Sequence, residues 1–264
     1  MALLDVFPFP AALVLTNAEG EIYREGHLDE PFAWASITKL ATALAAHQAV
    51  ERGLLTLQEP AGPPGASVAH LLAHAAGLDP ERDQVVSAPG RRRIYSNFGY
   101  EVLGAIIEDA IGLPLDTWIA QEVFGPLGME HTQFGASAAH GVRGPASDLI
   151  WLARELLRPR LLSPATHATM TSPAFAGLPG VLPGYGRQHD NLWALGPELK
   201  GDKSPHWLSA AHSPASFGHF GQAGGFLWVE PRRGVAAVFL GAQPFGTTHV
   251  RHWPDLNAEL LARA

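Results

Sequence analysis

The sequence predicts an α+β protein in which an antiparallel sheet flanked by helices is interrupted by an inserted helical lobe. Three observations predict it. The chain opens on two short alternating stretches and a helix, a Pro/Gly-rich breaker then introduces a long run of helical periodicity, and strand-like runs return only near the end, before a closing helix. The expected division is a split α/β sheet domain of residues 1–58 and 146–264, with residues 59–145 as the inserted, mainly helical lobe.

Each element follows from local chemistry. Residues 11–17 and 21–27 read as a hairpin joined at Glu19-Gly20. A helix opening around Ser36 carries Ile37, Leu40, Ala41 and Leu44 on one stripe, has small residues over most of the rest, and stops near Gly53. Residues 59–65, Glu-Pro-Ala-Gly-Pro-Pro-Gly, break the chain. Helices are expected over 68–74, 97–110 and 115–124. Two more follow over 148–157, capped by Ser147, and 164–171, capped by Ser163 with Pro164 in its first turn. Strands are expected over 226–229 and 235–240. A helix over 255–263 is expected to pack back on the sheet beside the first hairpin.

The chemistry starts at Trp34-Ala35-Ser36-Ile37-Thr38-Lys39-Leu40. In a helix, residues three apart lie on nearly one face, separated by roughly 4.5 Å of rise, so the Lys39 amine reaches the Ser36 hydroxyl. A helix this rich in alanine can be buried nearly all round, and a buried lysine loses solvation and becomes available as a neutral base. The helix N-terminus favours negative charge on the attacking oxygen. The plainer meaning of Ser-x-x-Lys is a cap followed by a solvated lysine. Tyr95-Ser96-Asn97 precedes another helix: a tyrosine beside a cationic lysine has its phenolate stabilised and can shuttle protons, and the Asn97 amide can bind a substrate carbonyl and steady the lysine. Without partners, the same residues are a helix cap with a half-buried ring. Gly218-His219-Phe220-Gly221-Gln222 reads as a Gly-bracketed edge strand. It could lay substrate alongside itself and offer the Gln222 N–H as a second oxyanion donor beside that of Ser36, with His219 contacting a substrate carboxylate or the tyrosine hydroxyl. Its plainer meaning is a turn between strands.

Ser-x-x-Lys, Tyr-x-Asn and His-x-Gly in this order resemble the penicillin-recognising serine hydrolases. The likeness is narrower to the class C beta-lactamase-related branch, with its D-Ala-D-Ala carboxypeptidases, D-amino acid peptidases and family VIII-like carboxylesterases. It extends through His70-Leu71-Leu72-Ala73-His74-Ala75-Ala76-Gly77-Leu78, Pro126-Leu127-Gly128-Met129, Ala146-Ser147-Asp148-Leu149 and Leu161-Leu162-Ser163-Pro164. The resemblance implies a beta-lactamase/transpeptidase-like, penicillin-binding-protein fold. It implies Ser36 as nucleophile, Lys39 as its activating partner, Tyr95 as proton relay and Asn97 as the orienting amide. His219 and Gly221 match the first and third positions of the family's strand triplet. Phe220 departs from it: the middle slot lacks a hydroxyl, which favours an apolar or ester substrate over a beta-lactam carboxylate. The chain is also short for the family, so a wider or shallower cleft is expected.

Composition narrows the alternatives. Charged residues are 16% and apolar ones 47%, a balance suited to a globular enzyme, and the net charge of -7 argues against nucleic acid. Cysteine is absent, so there is neither a disulfide frame nor a thiol nucleophile. The opening residues lack a basic region followed by an apolar core, and no uncharged run is long enough to span a bilayer, so a cytoplasmic protein without a membrane partner is expected. His70 and His74 have zinc-helix spacing but lack the intervening Glu and a clear third ligand, so no metal and no cofactor are expected. His206, His212, His249 and His252 are expected at the surface.

The resulting expectation is a serine hydrolase acting through an acyl-enzyme on an ester, amide or lactam carbonyl of a small molecule, most like a beta-lactamase-related esterase or peptidase. Its catalytic residues are Ser36, Lys39 and Tyr95, and its substrate-binding residues are Asn97, His219, Gly221 and Gln222. The alternative is a catalytically silent penicillin-binding-like sensor or binding protein of the same fold. Residues 79–89, 136–145 and 185–212 are expected to wall the cleft.

Overall fold

Alternation along the strands explains how one sheet supports two cores. The structure, a computed structural model, describes residues 2–264; Met1, the start of the segment read for a leader, lies outside them. The opening hairpin is β1 (Ala11–Asn17) and β2 (Glu21–Gly26). It is followed by β3 (Phe32–Ala33), a 3-10 turn at Ala35–Ile37 and α1 (Thr38–Glu51). Then come α2 (Val68–Leu72), α3 (Asn97–Ile111), and α4 (Leu115–Ile119), which runs through a π-helical turn at Ala120–Phe124 into α5 (Gly125–Leu127). β4 (Gln133–Phe134), β5 (Val142–Gly144), α6 (Ala146–Leu157) and α7 (Pro164–Thr171) precede the hairpin β6 (Gly180–Leu182) and β7 (Gly186–Gln188). The chain ends with β8 (Glu198–Leu199), β9 (Phe217–Gly221), β10 (Gly225–Glu230), β11 (Val235–Gly241) and α8 (Thr247–Ala262).

The main sheet has the order β2-β1-β11-β10-β9-β8 and is antiparallel throughout. Successive side chains point to opposite faces. Ala12, Val14, Leu227, Val229, Ala236, Val238 and Leu240 therefore share a core with α1, α6 and the helices of residues 68–127. Leu13, Leu15, Phe226, Trp228, Ala237 and Phe239 enter a second core with Trp253, Leu256 and Leu260 of α8. Burying each large side chain stabilises the fold by about 1.5–3 kcal/mol, so neither face tolerates a register slip. The fold is α+β, as the sequence predicted.

Two local expectations need correction. The closing helix begins at Thr247, well before residue 255, and Pro254 lies inside it. The proline forfeits one backbone bond, while His249, Trp253, Leu256 and Leu260 keep one continuous stripe against the sheet, and that burial outweighs the lost bond. α6 is flanked by Pro145 with no side-chain cap; Ser147 instead gives its N–H to the Leu28 carbonyl. Residues 59–145 also contain β4 and β5, which pair with β3 in a small second sheet. Among the described residues no helix is long and apolar enough to cross a membrane.

Candidate active site

Ser36 sits in a tight turn forced against the sheet. Ala35, just before it, has a φ of 46°, a left-handed conformation that costs a non-glycine residue about 1–3 kcal/mol. The turn is held from several sides: Trp34 Nε1 donates to the Gly144 carbonyl at 3.1 Å, Val142 N–H donates to Thr38 Oγ1 at 3.0 Å, and Thr42 Oγ1 donates to the Ala138 carbonyl at 2.7 Å. β9 abuts the same turn. A Cβ at Gly221 would lie 2.2 Å from the Trp34 carbonyl oxygen, so only glycine allows this approach.

Lys39 is fully buried one turn into the helix. Its Nζ lies 2.7 Å from Asn97 Oδ1, 2.9 Å from the Ala139 carbonyl oxygen and 3.4 Å from Ser36 Oγ. Burial lowers its pKa to about 7, with the more distant carboxylates of Glu101 and Glu81 opposing the shift. A neutral amine has two N–H bonds and one lone pair. Asn97 and Ala139 accept the two N–H bonds, so the lone pair is left facing Ser36 Oγ. The orientation of Asn97 is itself fixed: its Nδ2 donates to Glu81 Oε1 at 2.7 Å, which turns Oδ1 toward the lysine.

Tyr95 leans over the same amine, with Nζ 4.8 Å from its ring centroid. Its phenol is pushed up, first by burial and with Ser36 opposing. Desolvation thus outweighs the Ser36 hydrogen bond, and the stabilised phenolate expected from the sequence is replaced by a neutral hydroxyl. The hydroxyl lies 3.5 Å from His219 Nε2. His219 Nδ1 donates to the Phe220 carbonyl at 2.7 Å, so Nε2 is left as the unprotonated acceptor. Burial, reinforced by Lys39, lowers this imidazole to about 3 and keeps it neutral. Of the two contacts expected for His219, the structure shows the one to the tyrosine hydroxyl. Phe220 packs among Phe245, Trp253 and Trp207 of the second core while its edge reaches the slot beside Ser36.

With this geometry in place, the chain can be set beside known proteins. A family model described as Beta-lactamase matches residues 11–262. The chain belongs to the beta-lactamase family. A solved structure described as a beta-lactamase from Mycobacterium bovis is 41% identical, covers 99% of this chain and 98% of its own, and superposes with a TM-score of 0.96. A penicillin-binding protein homologue from Pyrococcus abyssi shares the fold at 20% identity and a TM-score of 0.79, covering 98% of this chain and 75% of its own. A candidate D-alanyl-D-alanine carboxypeptidase of Escherichia coli K12 is 44% identical over 46 residues, which is 17% of this chain and 11% of that protein.

Within this beta-lactamase-family framework, the space left beside Ser36 is small, about 30 Å³, room for a single water. The wider opening expected from the short chain is absent at Ser36. Ser36, Tyr95, His219 and Gln222 meet there, closed over by Leu182, Pro183, Trp193 and Glu198. β8 pairs with β9 at Glu198↔Gly218 and Leu199↔Phe217, so Gln222 stands beyond the paired stretch. Residues 79–89 and 185–212 contribute walls as expected, whereas the Leu182-Pro183 turn was missed, because its chain offers only a glycine- and proline-rich loop signal. Residues 136–145 lie beneath the lysine through the carbonyls of Ala138 and Ala139.

The sequence also missed a buried polar knot. Glu198 Oε1 accepts from Lys203 Nζ at 2.6 Å and lies 3.0 Å from His206 Nε2, and Oε2 accepts from Trp207 Nε1 at 2.8 Å. Burial pushes the Glu198 carboxyl up, but Lys203 and His206 overcome this and hold it below the usual carboxylate range. His206, His212 and His249 are buried, contrary to the surface expectation, since each ring packs on an aromatic partner that single-residue polarity does not reveal. His70 and His74 part company: His70 Nδ1 meets Ser67 Oγ at 2.9 Å, whereas His74 Nδ1 accepts the Ser96 N–H at 3.1 Å beneath the Tyr95 ring.

Proposed function

We propose that the chain is a serine hydrolase that transfers the acyl group of an uncharged ester to Ser36 and then to water. The observation that carries this reading is the buried Lys39, whose two N–H acceptors leave its lone pair on the Ser36 hydroxyl near neutral pH. In acylation, Ser36 Oγ bonds to the carbonyl carbon as its proton passes to Lys39 Nζ. The tetrahedral oxygen is received by the N–H groups of Ser36 and Gln222. The carbon–oxygen ester bond then breaks, the departing oxygen takes the Tyr95 proton, and Lys39 replenishes the phenol. Water reverses the sequence and frees the acid.

An ester is favoured over a beta-lactam or a peptide ending in a carboxylate because His219 is neutral with no proton on the nitrogen facing the site. One observation favours the rival of a silent penicillin-binding-like protein, namely the narrow slot at Ser36. Incubation with a fluorophosphonate, a penicillin and a p-nitrophenyl ester separates them. The hydrolase reading expects a mass adduct on Ser36 and steady nitrophenol release, both lost in Ser36→Ala with the fold retained. A lasting penicillin adduct without ester turnover would establish the rival, and unchanged hydrolysis in Ser36→Ala would remove the mechanism.

A further inference from the structure

A second, larger space lies on the other side of Tyr95. This cleft has a volume of about 570 Å³ and is walled by Pro80, Val86, Ile94, Val181 and Pro183. Tyr95 and Pro183 also border the slot at Ser36, so the tyrosine is a wall common to both spaces. Their sizes differ sharply: the slot has room for about 30 Å³, whereas the cleft falls in the range that holds a drug-sized group.

The cleft walls are apolar and tied to one another. Val181 stands 57% exposed on β6, an uncompensated apolar side chain in the wall of a concave site. Gly180 beside it bridges Arg93, and Arg93 N–H donates to the Pro179 carbonyl at 2.9 Å, so this wall is fastened to the segment that carries Tyr95. The opposite wall is fastened too, since Asn97 N–H donates to the Pro80 carbonyl at 2.8 Å. Two arginines border the space. Arg93 is buried and spends its guanidinium on the carbonyls of Asn191, Ala73, Ala174 and Phe175. Arg92 is exposed at the rim, with one donor 3.4 Å from the Val86 carbonyl. The interior is thus preformed and presents no free charge.

We propose that this cleft seats the alcohol portion of the ester, and that this portion is a large uncharged alkyl or aryl group, while the small slot takes a short acyl group. The inference rests on the hydrolase reading above. Its logic is positional. The ester oxygen that departs takes its proton from the Tyr95 hydroxyl, so the carbon attached to that oxygen starts at Tyr95, and the roomy apolar space bordering the tyrosine is this cleft. The acyl carbon, bonded to Ser36 Oγ, is confined by Leu182, Trp193 and Phe220.

The test uses the full chain and two ester series followed by acid release: acetates of ethanol, butanol, hexanol and octanol, and ethyl esters of acetic, butyric and hexanoic acids. For the acetates, kcat/KM is expected to rise up to roughly fourfold per added methylene until the cleft is filled. For the ethyl esters it is expected to fall with acyl length. Val181→Asp, at an exposed strand position, is expected to bring the hexyl-to-ethyl acetate ratio of kcat/KM toward one. A flat acetate series with ethyl acetate still turned over would overturn the cleft assignment and leave the hydrolase reading standing. A gain that follows the acyl chain would overturn it as well, whatever the variant does. Absence of turnover on every ester together with no fluorophosphonate adduct on Ser36 overturns the hydrolase reading itself, and this inference falls with it.

Discussion

Lys39 and Lys203 are both removed from water, yet their neighbours give them different duties. Lys203 lies 2.6 Å from a carboxylate, that of Glu198, and the pair ties β8 to the loop carrying His206 and Trp207. Lys39 meets only uncharged oxygens, from Asn97, Ala139 and Ser36. Burial lowers both lysines, but a carboxylate repays part of the desolvation of an ammonium, so Glu198 opposes the shift at Lys203, whereas only amide and hydroxyl oxygens touch Lys39 and its pKa falls to about 7. The contrast teaches that the charge of the nearest partner, as well as depth, sets how a buried lysine titrates.

Deletion should split the two most visibly. Lys39→Ala is expected to lower ester kcat by roughly 10⁴-fold or more with a cooperative melt retained, measured by steady-state kinetics and circular dichroism. Lys203→Ala leaves the buried Glu198 with His206 and Trp207 but without its ammonium partner, and is expected to cost about 3–5 kcal/mol in urea unfolding while the folded fraction keeps its kcat within about tenfold. A Lys203→Ala protein of full stability and no turnover would dissolve the distinction.

Next in size is the pH dependence. Only the neutral amine accepts the Ser36 proton, so kcat/KM should climb with pH through about 7 and level off above it. The linkage to stability has a definite sign. Because the folded pKa of Lys39 lies below its ordinary value of 10.5, the unfolded chain binds more protons between about 7 and 10.5, and the stability associated with this residue grows as pH rises through that window. Urea unfolding of the native chain against Lys39→Met across this range isolates the effect; a difference that shrinks or reverses with rising pH contradicts it. The smallest effect is expected from Glu81→Gln. Removing this carboxylate should move the kinetic midpoint down, by less than about one pH unit because Glu81 is exposed and salt-screened, and added salt should shrink the gap. An upward shift would contradict the role given to its charge.

Much of this site is legible in the chain, for identifiable reasons. Ser36 and Lys39 are one helical turn apart, and local spacing places them without knowledge of the fold. The strands β10 and β11 and the cap at Ser163 are likewise local features, visible as apolar runs and a Ser-Pro start. What escaped depends on contacts between distant segments. Glu81 reaches Asn97, Ala139 reaches Lys39 across 100 positions, and Leu182 closes over Ser36, and no spacing rule links such pairs. The Tyr95 phenol was misjudged because sequence suggests a cation nearby but does not give the extent of burial, which decides the sign. The buried histidines were misplaced for the same reason.

The central claim is that the Lys39 amine titrates near neutral pH, whereas Lys203 is the ion-pair partner of Glu198. The chain has only three lysines, at positions 39, 200 and 203, so a titration of isotope-labelled lysine side chains followed by NMR resolves each of them. One ε-resonance should titrate with a midpoint near 7 and vanish in Lys39→Met. A Lys39 resonance that titrates only near the ordinary lysine value of 10.5 would contradict the account.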